Sequence, residues 1–485
     1  MDRRKKNDYE RGSEALAVLH SLLSYGDNLH YEKFADGSVK CIEDEVPFGL
    51  PDGWAWVRLG NLSAAIQYGL SNSAEPQGTH RLLRITDIQD GKVDWNAVPF
   101  TTVNDPEAYL LKTGDIVFAR TGATVGKSFL ITETPYPSVY ASYLIRIRLL
   151  GSLSPEYIYQ FFDSACYWSQ ITDKSVGVGQ PNCNGTSLKE LFIPLPPISE
   201  QLRIVPTAQA LLAYVAKIDA EKKSLLSIIM ATKSKILDLA IRGQLIPQDP
   251  NDEPASVLLE RIRAEKEELI KQGKIKRDKK ESVIFRGEDN SYYEKMADGK
   301  LHCLDDQLPF ELPDGWEWCN LSMIGTTNIG LTYRPTDIEP GGIMVLRSCN
   351  IVNDQVDLND LVRVKTTVRE NQFAQKNDIL ICARNGSRSL VGKCALIPDL
   401  GEPASFGAFM AIYRTEYFEF IVHYLRSSFF RSVFDDSNST AINQLTQDML
   451  KRAIVPLPPL SEQRRIVEAI GAMLFELNQI EKSLS

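Results

Sequence analysis

The residues with the most evident chemical potential form a glycine-bearing turn, GATVGKS, from Gly122 to Ser128. A phosphate-binding P-loop has four residues between its glycines and a helix after its lysine, because backbone amides and the lysine surround the phosphates. Here three residues separate the glycines, and the following FLITETPYPSVY is typical of strand and turn. The corresponding NGSRSLVGKC in the second half has five residues between Gly386 and Gly392. The spacing therefore argues against nucleotide hydrolysis at these turns.

Both turns still combine basic ends with small polar residues. Backbone amides and cations of such a turn suit DNA phosphates, while a neighbouring polar side chain reads base edges. The alternative, a plain hairpin turn whose arginines make surface ion pairs, is favoured about two to one, since only some turns on a scaffold carry function. The candidate DNA-binding residues of the two turns are Arg120, Thr121, Thr124, Lys127, Arg384, Asn385, Arg388 and Lys393.

Two more arginines stand inside apolar strands, Arg84 ahead of Asp87 and Arg347 ahead of Asn350. Arginine is the usual reader of guanine and asparagine of adenine, so Arg84, Arg347 and Asn350 are candidate base contacts. A structural arginine paired to a carboxylate is an equal alternative. Amide-rich loops in both halves suit adenine recognition and ordinary turns alike. These loops contain Gln180, Asn182, Asn184, Thr186, Asn438, Thr440, Asn443 and Gln444.

The sequence contains no recognisable catalytic or metal-binding constellation. It has no HExxH, no dinucleotide fingerprint, no nucleophile elbow, and no NPPF or DPPY loop for methylating a base. Eight cysteines form no CxxC pair and five histidines are scattered, which predicts neither a disulfide framework nor a zinc site. We therefore predict a non-catalytic binding protein that holds no cofactor or metal.

The formal net charge of −9 argues against coating nucleic acid through bulk positive charge. DNA binding must then rely on local basic patches or on partner subunits. No stretch approaches the roughly 20 apolar residues of a membrane span. We expect a cytoplasmic protein without membrane association.

The sequence blocks that must position these residues occur twice in the chain. The stretch Asp27–Trp56 returns as Asp289–Trp318, and Ile193–Val205 returns as Val455–Val467, both with a shift of 262 residues. Each copy begins at LPDGW and ends at PLPP, and we call residues 50–197 the first module and residues 312–459 the second module. Between these blocks the shift becomes 263 and identities are few. This pattern predicts one scaffold, used twice, with divergent faces.

Apolar, β-branched runs between glycines predict short strands in each module, followed by one helix, Pro155–Asp173 or Phe418–Phe434. After PLPP the apolar residues follow a heptad, which predicts helices that pack along another helix. The central helix is expected from Ser199 to about Arg242, roughly 65 Å long, and a second helix from Ala255 to about Lys271. The basic run from Lys271 to Lys280 could touch phosphate or serve as a solvated linker.

This combination resembles the DNA-specificity (S) subunit of type I restriction-modification systems. The motifs that carry the resemblance are the paired LPDGWxW openings, the strands that begin D-I-(V/L) and end A-R-x-G, and the two PLPP(I/L)SEQxRIV ends that each precede a heptad helix. The resemblance covers nearly the whole chain. It implies that each module is a target recognition domain that reads one half of a split DNA sequence.

The resemblance also implies the partners. The helices would pack antiparallel, space the two domains, and dock two methyltransferase (M) subunits, with restriction (R) subunits when present. S-adenosylmethionine, ATP and Mg²⁺ would be bound by those partners and not by this chain. The candidate docking residues are Leu211, Val215, Ile218, Leu225, Ile470, Met473 and Leu477.

The expected fold is α+β, with two tandem mixed β-rich α/β target recognition domains joined by long antiparallel coiled-coil-like helices in an internal pseudo-twofold repeat. The expected regions are an N-terminal helical segment at 1–26, target recognition domains at 27–197 and 286–459, a central helical region at 198–285 and a distal helix at 460–485. The N-terminal segment could complete the packing of the short distal helix. The competing function is a coiled-coil scaffold that binds proteins instead of DNA.

Overall fold

The computed structural model describes residues 29–34, 36–89, 91–174, 182–275, 277, 281–435 and 444–484, with only the backbone given for 433–435. The predictions for the helix at 1–26 and for Gln180, Asn438, Thr440 and Asn443 lie outside these residues. The chain forms two compact units, and the division between them falls inside the central helix, after Ile218. Each unit contains one module.

The first module is closed by its own two ends. The strand after LPDGW, Ala55–Arg58, pairs antiparallel with the strand of PLPP, Phe192–Leu195, so that Trp56 lies opposite Pro194. Between them, a four-stranded sheet has the order Ser128–Leu130, Ile116–Ala119, Leu144–Leu149, Ser63–Tyr68. The other strands of this unit are Tyr31–Lys33, Val39–Cys41, His80–Leu83, Ile88–Gln89, Lys92–Val93, Phe100–Thr101 and Ser138–Tyr140, and its short helices are Leu59–Leu62, Pro155–Phe161, Ala165–Lys174 and Gly185–Lys189.

The second module repeats this strand order. Glu317–Asn320 pairs antiparallel with Ile454–Leu457, and Trp318 lies opposite Pro456. Its main sheet runs Thr326–Ile329, Met410–Arg414, Ile379–Cys382, Cys394–Leu396, Gln355–Val356, Ile351–Val352. The other strands of this unit are Ser282–Arg286, Tyr292–Met296, Leu301–Cys303, Ile338–Leu346, Val362–Val364 and Ala404–Phe406, and its short helices are Leu321–Ile324, Phe418–Arg426, Ser428–Asp435 and Gln447–Arg452. The predicted shared scaffold is therefore visible as one topology used twice.

Three long helices match the sequence predictions closely. The central helix spans Ile198–Ile241, the second helix spans Ala255–Lys271, and the distal helix spans Leu460–Leu484. The helical stretch predicted at Pro155–Asp173 consists of two helices, and the prediction of one helix at Phe418–Phe434 is wrong because two helices lie there as well. The break follows from a serine, since the hydroxyl of Ser164 accepts a hydrogen bond from Tyr167 N, and that of Ser427 accepts one from Phe430 N. A serine cap of this kind favours the start of a new helix.

The repeated blocks also lock onto the long helices through side chains. The indole Nε1 of Trp54 donates to Glu200 at 3.2 Å, and that of Trp316 donates to Glu462 at 3.0 Å. One residue further on, Gln201 and Gln463 each donate to a carbonyl of the preceding proline pair at 2.9 Å. LPDGW and SEQ therefore recur together because each tryptophan holds the first turn of a long helix against its module.

The burial of the central helix changes along its length. Its last turns, with Ile236, Leu237 and Ile241, lie in the main core of the second unit, which also contains Ile466 and Ile470 of the distal helix. Many of its earlier apolar residues are exposed, although Ile229 is buried and Ile204 and Val205 pack against the core of the first unit. These exposed side chains are Leu202, Leu211, Leu212, Tyr214, Val215, Ile218, Leu225, Ile228 and Met230.

Within the second unit, the chain near the end of the central helix and the distal helix run in opposite directions. Lys233 pairs with Glu481 near the end of the distal helix, whereas Asp252 pairs with Arg465 near its start. Part of the predicted helix packing is therefore made inside this unit.

Candidate nucleic-acid interface

The tip of the first module is built where the strand Ile116–Ala119 ends. Arg120 N donates to the carbonyl of Tyr143 at 3.1 Å, and the Arg120 carbonyl accepts from Cys183 N at 3.0 Å. The next residue, Thr121, forms a β-bridge with Asn182. These backbone bonds join three segments that are distant in sequence, so the candidate residues of the turn and of the amide-rich loop meet at one place.

The Arg120 guanidinium lies over the ring of Tyr68, 4.9 Å from its centroid. The Tyr68 hydroxyl in turn accepts a hydrogen bond from Gly185 N at 2.8 Å, so the ring under the arginine is fixed. Arg120 Nε is buried and has no hydrogen-bond partner among the described residues. An arginine held flat on an aromatic ring keeps its charge available to an anionic ligand.

The GATVGKS turn is a hairpin. Gly126, with φ of 90°, donates its N–H to the Ala119 carbonyl, and Ala119 N donates to the Lys127 carbonyl at 2.8 Å. The strand Ser128–Leu130 then pairs antiparallel with Ile116–Ala119. The prediction of a strand after the lysine is confirmed, and the exposed Lys127 marks the edge of the tip.

The second module forms its tip with the same backbone bonds. Ala383 N and Arg384 N both donate to the Phe409 carbonyl, at 2.9 and 3.0 Å, and Leu445 N donates to the Ala383 carbonyl. Arg384 forms the bridge with Gln444. DILICAR is one residue longer than DIVFAR, so Ala383 stands where Arg120 stands and Arg384 stands where Thr121 stands. The Arg384 guanidinium lies over the ring of Phe409, 5.6 Å from its centroid.

Arg84 and Arg347 both make ion pairs. Arg84 donates to Asp87 through Nε at 3.1 Å and Nη2 at 2.6 Å, and Arg347 Nη2 donates to Asp360 at 2.9 Å. Asn350 is 1% exposed, accepts from Arg347 N, and donates to two backbone carbonyls at 2.9 Å. These contacts favour the structural alternative for all three, since the polar atoms that would read a base already have partners.

The remaining amide candidates divide into two groups. The Asn184 side chain accepts from Thr186 N and Ser187 N, each at 2.9 Å, and thereby caps the helix Gly185–Lys189. Asn385 accepts from Ser387 N at 3.0 Å within its own turn, and Thr124 donates to the Thr121 carbonyl. Asn182 is exposed beside Thr121. Asn182 therefore remains the amide that is best placed to reach a ligand in the first module.

Four basic side chains at the tips are free of ion pairs to other described residues. Within the described part of the chain, Arg120, Lys127, Arg384 and Lys393 make no ion pair. Arg388 is exposed on the second turn. Burial raises the pKa of the Cys183 thiol to about 11, and burial likewise raises the pKa of Cys382. The thiols beside the tips are therefore protonated at neutral pH and offer no nucleophile.

Sequence reasoning missed a buried carboxylate at the start of the strand that leads to each tip. Asp115 and Asp378, each 1% exposed, accept two hydrogen bonds from Arg148 and Arg414 respectively, at 2.6 to 2.7 Å. The hydrogen bonds from these carboxylates raise the pKa of both arginines. The Asp that begins each D-I-(V/L) motif was the available sequence signal for this ion pair. Its arginine partner lies 33 or 36 residues later inside an apolar strand and was not recognised.

The candidate docking residues are not equally accessible. Leu211, Val215 and Ile218 are 54 to 62% exposed on the central helix. Leu225 and Met473 are also exposed, and Leu477 is partly buried against the core of the second unit. Ile470 is fully buried in that core, so its burial does not support a docking role.

Among the described residues, no group of histidine, cysteine, aspartate or glutamate side chains could hold a metal ion. All eight cysteines are free thiols. A search of the described helices finds none with the length and apolar character needed to span a membrane.

Comparison with known families gives one match, the type I restriction modification DNA specificity domain, found twice, at residues 51–228 and 313–484. The chain is 26% identical to the specificity subunit of the type I restriction enzyme EcoAI from Escherichia coli, over 90% of this chain and 80% of that protein. It is 24% identical to the specificity subunit of the type I restriction enzyme EcoEI from Escherichia coli, over 91% of this chain and 81% of that protein.

Two solved structures share the fold. A chain from a study of complex assembly and conformational transition in a type I R-M system matches with a TM-score of 0.59 and 19% identity, over 90% of this chain and 94% of that one. The HsdS subunit from Thermoanaerobacter tengcongensis matches with a TM-score of 0.51 and 19% identity, over 90% of this chain and 92% of that one.

Proposed function

Because the chain belongs to the type I restriction modification DNA specificity family, we propose that it is the sequence-reading subunit of a type I restriction-modification complex. Each module binds double-stranded DNA and reads one half of a bipartite target. The chain itself is not an enzyme. Methyltransferase and restriction subunits supply the chemistry and bind S-adenosylmethionine, ATP and Mg²⁺, and the complex acts on DNA in the cytoplasm.

The observation that carries this proposal is the contrast within the repeat. The two modules share strand order, closing strands and buried ion pairs, yet at the same strand ends they present different polar residues. Two modules with the same scaffold and different tips are suited to bind two different half-sites. The unpaired cations at each tip supply the phosphate contacts that position such a reader.

The central helix suits the role of spacer. Its 44 residues give a length of about 66 Å at 1.5 Å per residue. Half-sites one DNA turn apart, about 34 to 36 Å, are within reach of a helix of that length. The opposite chain directions at Lys233–Glu481 and Asp252–Arg465 support an antiparallel, coiled-coil-like packing of the helices within the second unit.

We further propose that the exposed apolar residues of the central helix dock the two methyltransferase subunits. A stripe with Leu211 and Ile218 about 60% exposed is unfavourable in water and is typical of an interaction surface. The double substitution Leu211→Asp with Ile218→Asp should abolish copurification of the methyltransferase subunits. Ser224→Asp, at an exposed polar position of the same helix, adds a carboxylate and should leave copurification unchanged.

The experiment that tests the main proposal is selection of duplexes from a randomised pool by the chain copurified with its methyltransferase subunits. A two-part motif with a fixed, unread spacer is the expected result. An unenriched pool from a well-formed complex would overturn the proposal and favour the protein-binding scaffold.

Substitutions at the two tips show which module reads which half of the target. Arg384→Ala with Arg388→Ala should relax the motif in one half only, and Arg120→Ala in the other, each with a loss of about 1–3 kcal/mol in discrimination. Lys300→Ala serves as the control, because Lys300 is an exposed cation in the turn between the strands Tyr292–Met296 and Leu301–Cys303 and is paired with Asp298. Equal losses in both halves would contradict the assignment of one module to one half-site.

A further inference from the structure

Both modules expose an aromatic ring at one equivalent position. The turn Ala141–Leu144 is closed by a hydrogen bond from Leu144 N to the Ala141 carbonyl at 2.9 Å, and the turn 407–410 by one from Met410 N to the Gly407 carbonyl at 2.8 Å. The third residue of each turn is aromatic. Tyr143 is 64% exposed and Phe409 is 61% exposed.

The two turns that expose these rings are held in place by backbone hydrogen bonds. The carbonyls of Tyr143 and Phe409 accept the hydrogen bonds from Arg120, Ala383 and Arg384 that form the tips. On the opposite side, Leu70 N donates to the Tyr140 carbonyl at 2.8 Å and Leu331 N to the Phe406 carbonyl at 2.6 Å. Each turn is therefore tied to two neighbouring segments.

Glycine makes this close approach possible. A Cβ placed on Gly69 would lie 2.3 Å from the Tyr140 carbonyl oxygen, and one placed on Gly330 would lie 2.2 Å from carbonyl oxygens of 406 and 407. No side chain can occupy that space, so each module has a glycine where the strand passes under the aromatic turn. The ring is thereby presented on a rigid support.

We propose that Tyr143 and Phe409 each stack against a base at one step of the half-site that their module reads, an inference that rests on the proposed function. Stacking on a planar base suits an aromatic ring held rigidly at the surface. The neighbouring cations specify the class of partner, because Arg384 lies over Phe409 itself and Arg120 extends from the segment bonded to Tyr143. DNA satisfies both features, because its bases can stack on the aromatic ring and its phosphates can pair with the arginine.

One ring per module means one perturbed base step per half-site. Aromatic wedges partly unstack the step that they enter and kink the duplex there. The two steps should therefore stand at corresponding places in the two halves of the target, whatever bases are read around them.

The test uses the full chain with its methyltransferase subunits and the duplex selected above, with 2-aminopurine placed at successive positions. The wild-type complex should show one site of increased fluorescence in each half. Phe409→Ala should remove it from the half read by the second module, and Tyr143→Ala from the other half. Each should weaken specific binding about 5- to 150-fold, the equivalent of about 1–3 kcal/mol of stacking.

Conservative variants separate stacking from a general loss of surface. Phe409→Tyr and Tyr143→Phe keep an aromatic face and should retain the signal, whereas Phe409→Leu keeps apolar bulk and should lose it. Leu301→Ala removes an apolar side chain with 57% exposure from a hairpin strand and should change nothing. Thermal unfolding of every variant establishes that the modules are intact.

Failure of this inference differs from failure of the proposed function. A wild-type complex that selects a bipartite motif, with alanine variants that bind and fluoresce as wild type does, would overturn the stacking role alone. A wild-type complex that selects no motif would overturn both.

Discussion

In the first module, Arg120 lies over Tyr68 at the end of the strand Ser63–Tyr68, whereas in the second module Arg384, one backbone position further on, lies over Phe409 in the turn 407–410. Below these tips the modules agree, since the same aspartate receives the same pair of hydrogen bonds in both. The tips therefore differ although this ion pair is kept. The comparison teaches that the shared ion pair holds the strand that leads to each tip, and that the tip residues set what the tip contacts.

The buried ion pairs provide the largest test of that comparison. Asp115→Asn and Asp378→Asn should each lower the free energy of unfolding of their own module by about 2–3 kcal/mol, because a partly buried arginine loses the charged acceptor of its two hydrogen bonds. The measurement is urea unfolding, with hydrogen exchange to identify the module affected. Similar losses in both modules support equivalence.

The matched control for these variants is Asp360→Asn. Asp360 pairs with Arg347 but its side chain is 78% exposed, so the change should be less than about 0.5 kcal/mol. A nearly neutral Asp115→Asn beside a damaging Asp378→Asn would show that the two scaffolds are stabilised differently.

A histidine gives the second module a pH response that the first lacks. Burial lowers the pKa of His423 to about 4, and the residue 263 positions earlier is Gln160, which does not titrate. The folded-state pKa lies below the unfolded value of about 6.5, so this stability is complete above pH 6.5 and is lost as pH falls toward 4. The second module should lose about 2 kcal/mol between pH 7 and pH 5 through this group.

The variant His423→Gln installs the residue of the first module and isolates this contribution. Its stability should change less with pH than that of the wild type, and the difference between the two pH slopes should equal the His423 contribution. Parallel slopes for wild type and variant would contradict the assignment.

The smallest effect on stability is expected for the hydrogen bonds from Trp54 to Glu200 and from Trp316 to Glu462. Glu462 is 1% exposed and burial raises its pKa, whereas Glu200 is partly exposed. Trp316→Phe should therefore cost about 1–2 kcal/mol, since it removes a donor from a buried carboxylate. Trp54→Phe should cost less, because water can replace the indole. Equal costs, measured by the same urea unfolding, would show that burial does not distinguish the two hydrogen bonds.

Much of the scaffold was readable from the sequence because it follows simple periodicities. The heptad after PLPP predicted the central and distal helices to within one or two residues, and the shift of 262 identified the closing strands as partners in the same framework. Long-range electrostatic pairs carry no such period. Arg148 lies in LIRIRL, where an alternating arginine predicts a solvent-facing position, and nothing local indicates Asp115.

The outer layer was harder to predict for a different reason. SVYASYLIRIRL reads as one continuous strand, yet the turn at Ala141–Leu144 divides it and turns Tyr143 outward. Apolar content alone does not distinguish a ring packed inside a strand from a ring exposed on a turn. The one-position difference between Arg120 and Arg384, in contrast, was readable from the sequence, because DILICAR is one residue longer than DIVFAR.

The adjacency of the first and last strands of each module has an evolutionary consequence. Ala55–Arg58 and Phe192–Leu195 are antiparallel neighbours, as are Glu317–Asn320 and Ile454–Leu457, so each module leaves the helical frame and returns to it about 5 Å away. Genetic exchange of the segment between LPDGW and PLPP would replace a complete module and leave the long helices unchanged. A lineage can in this way acquire a new target by one crossover, without passing through intermediates with damaged cores.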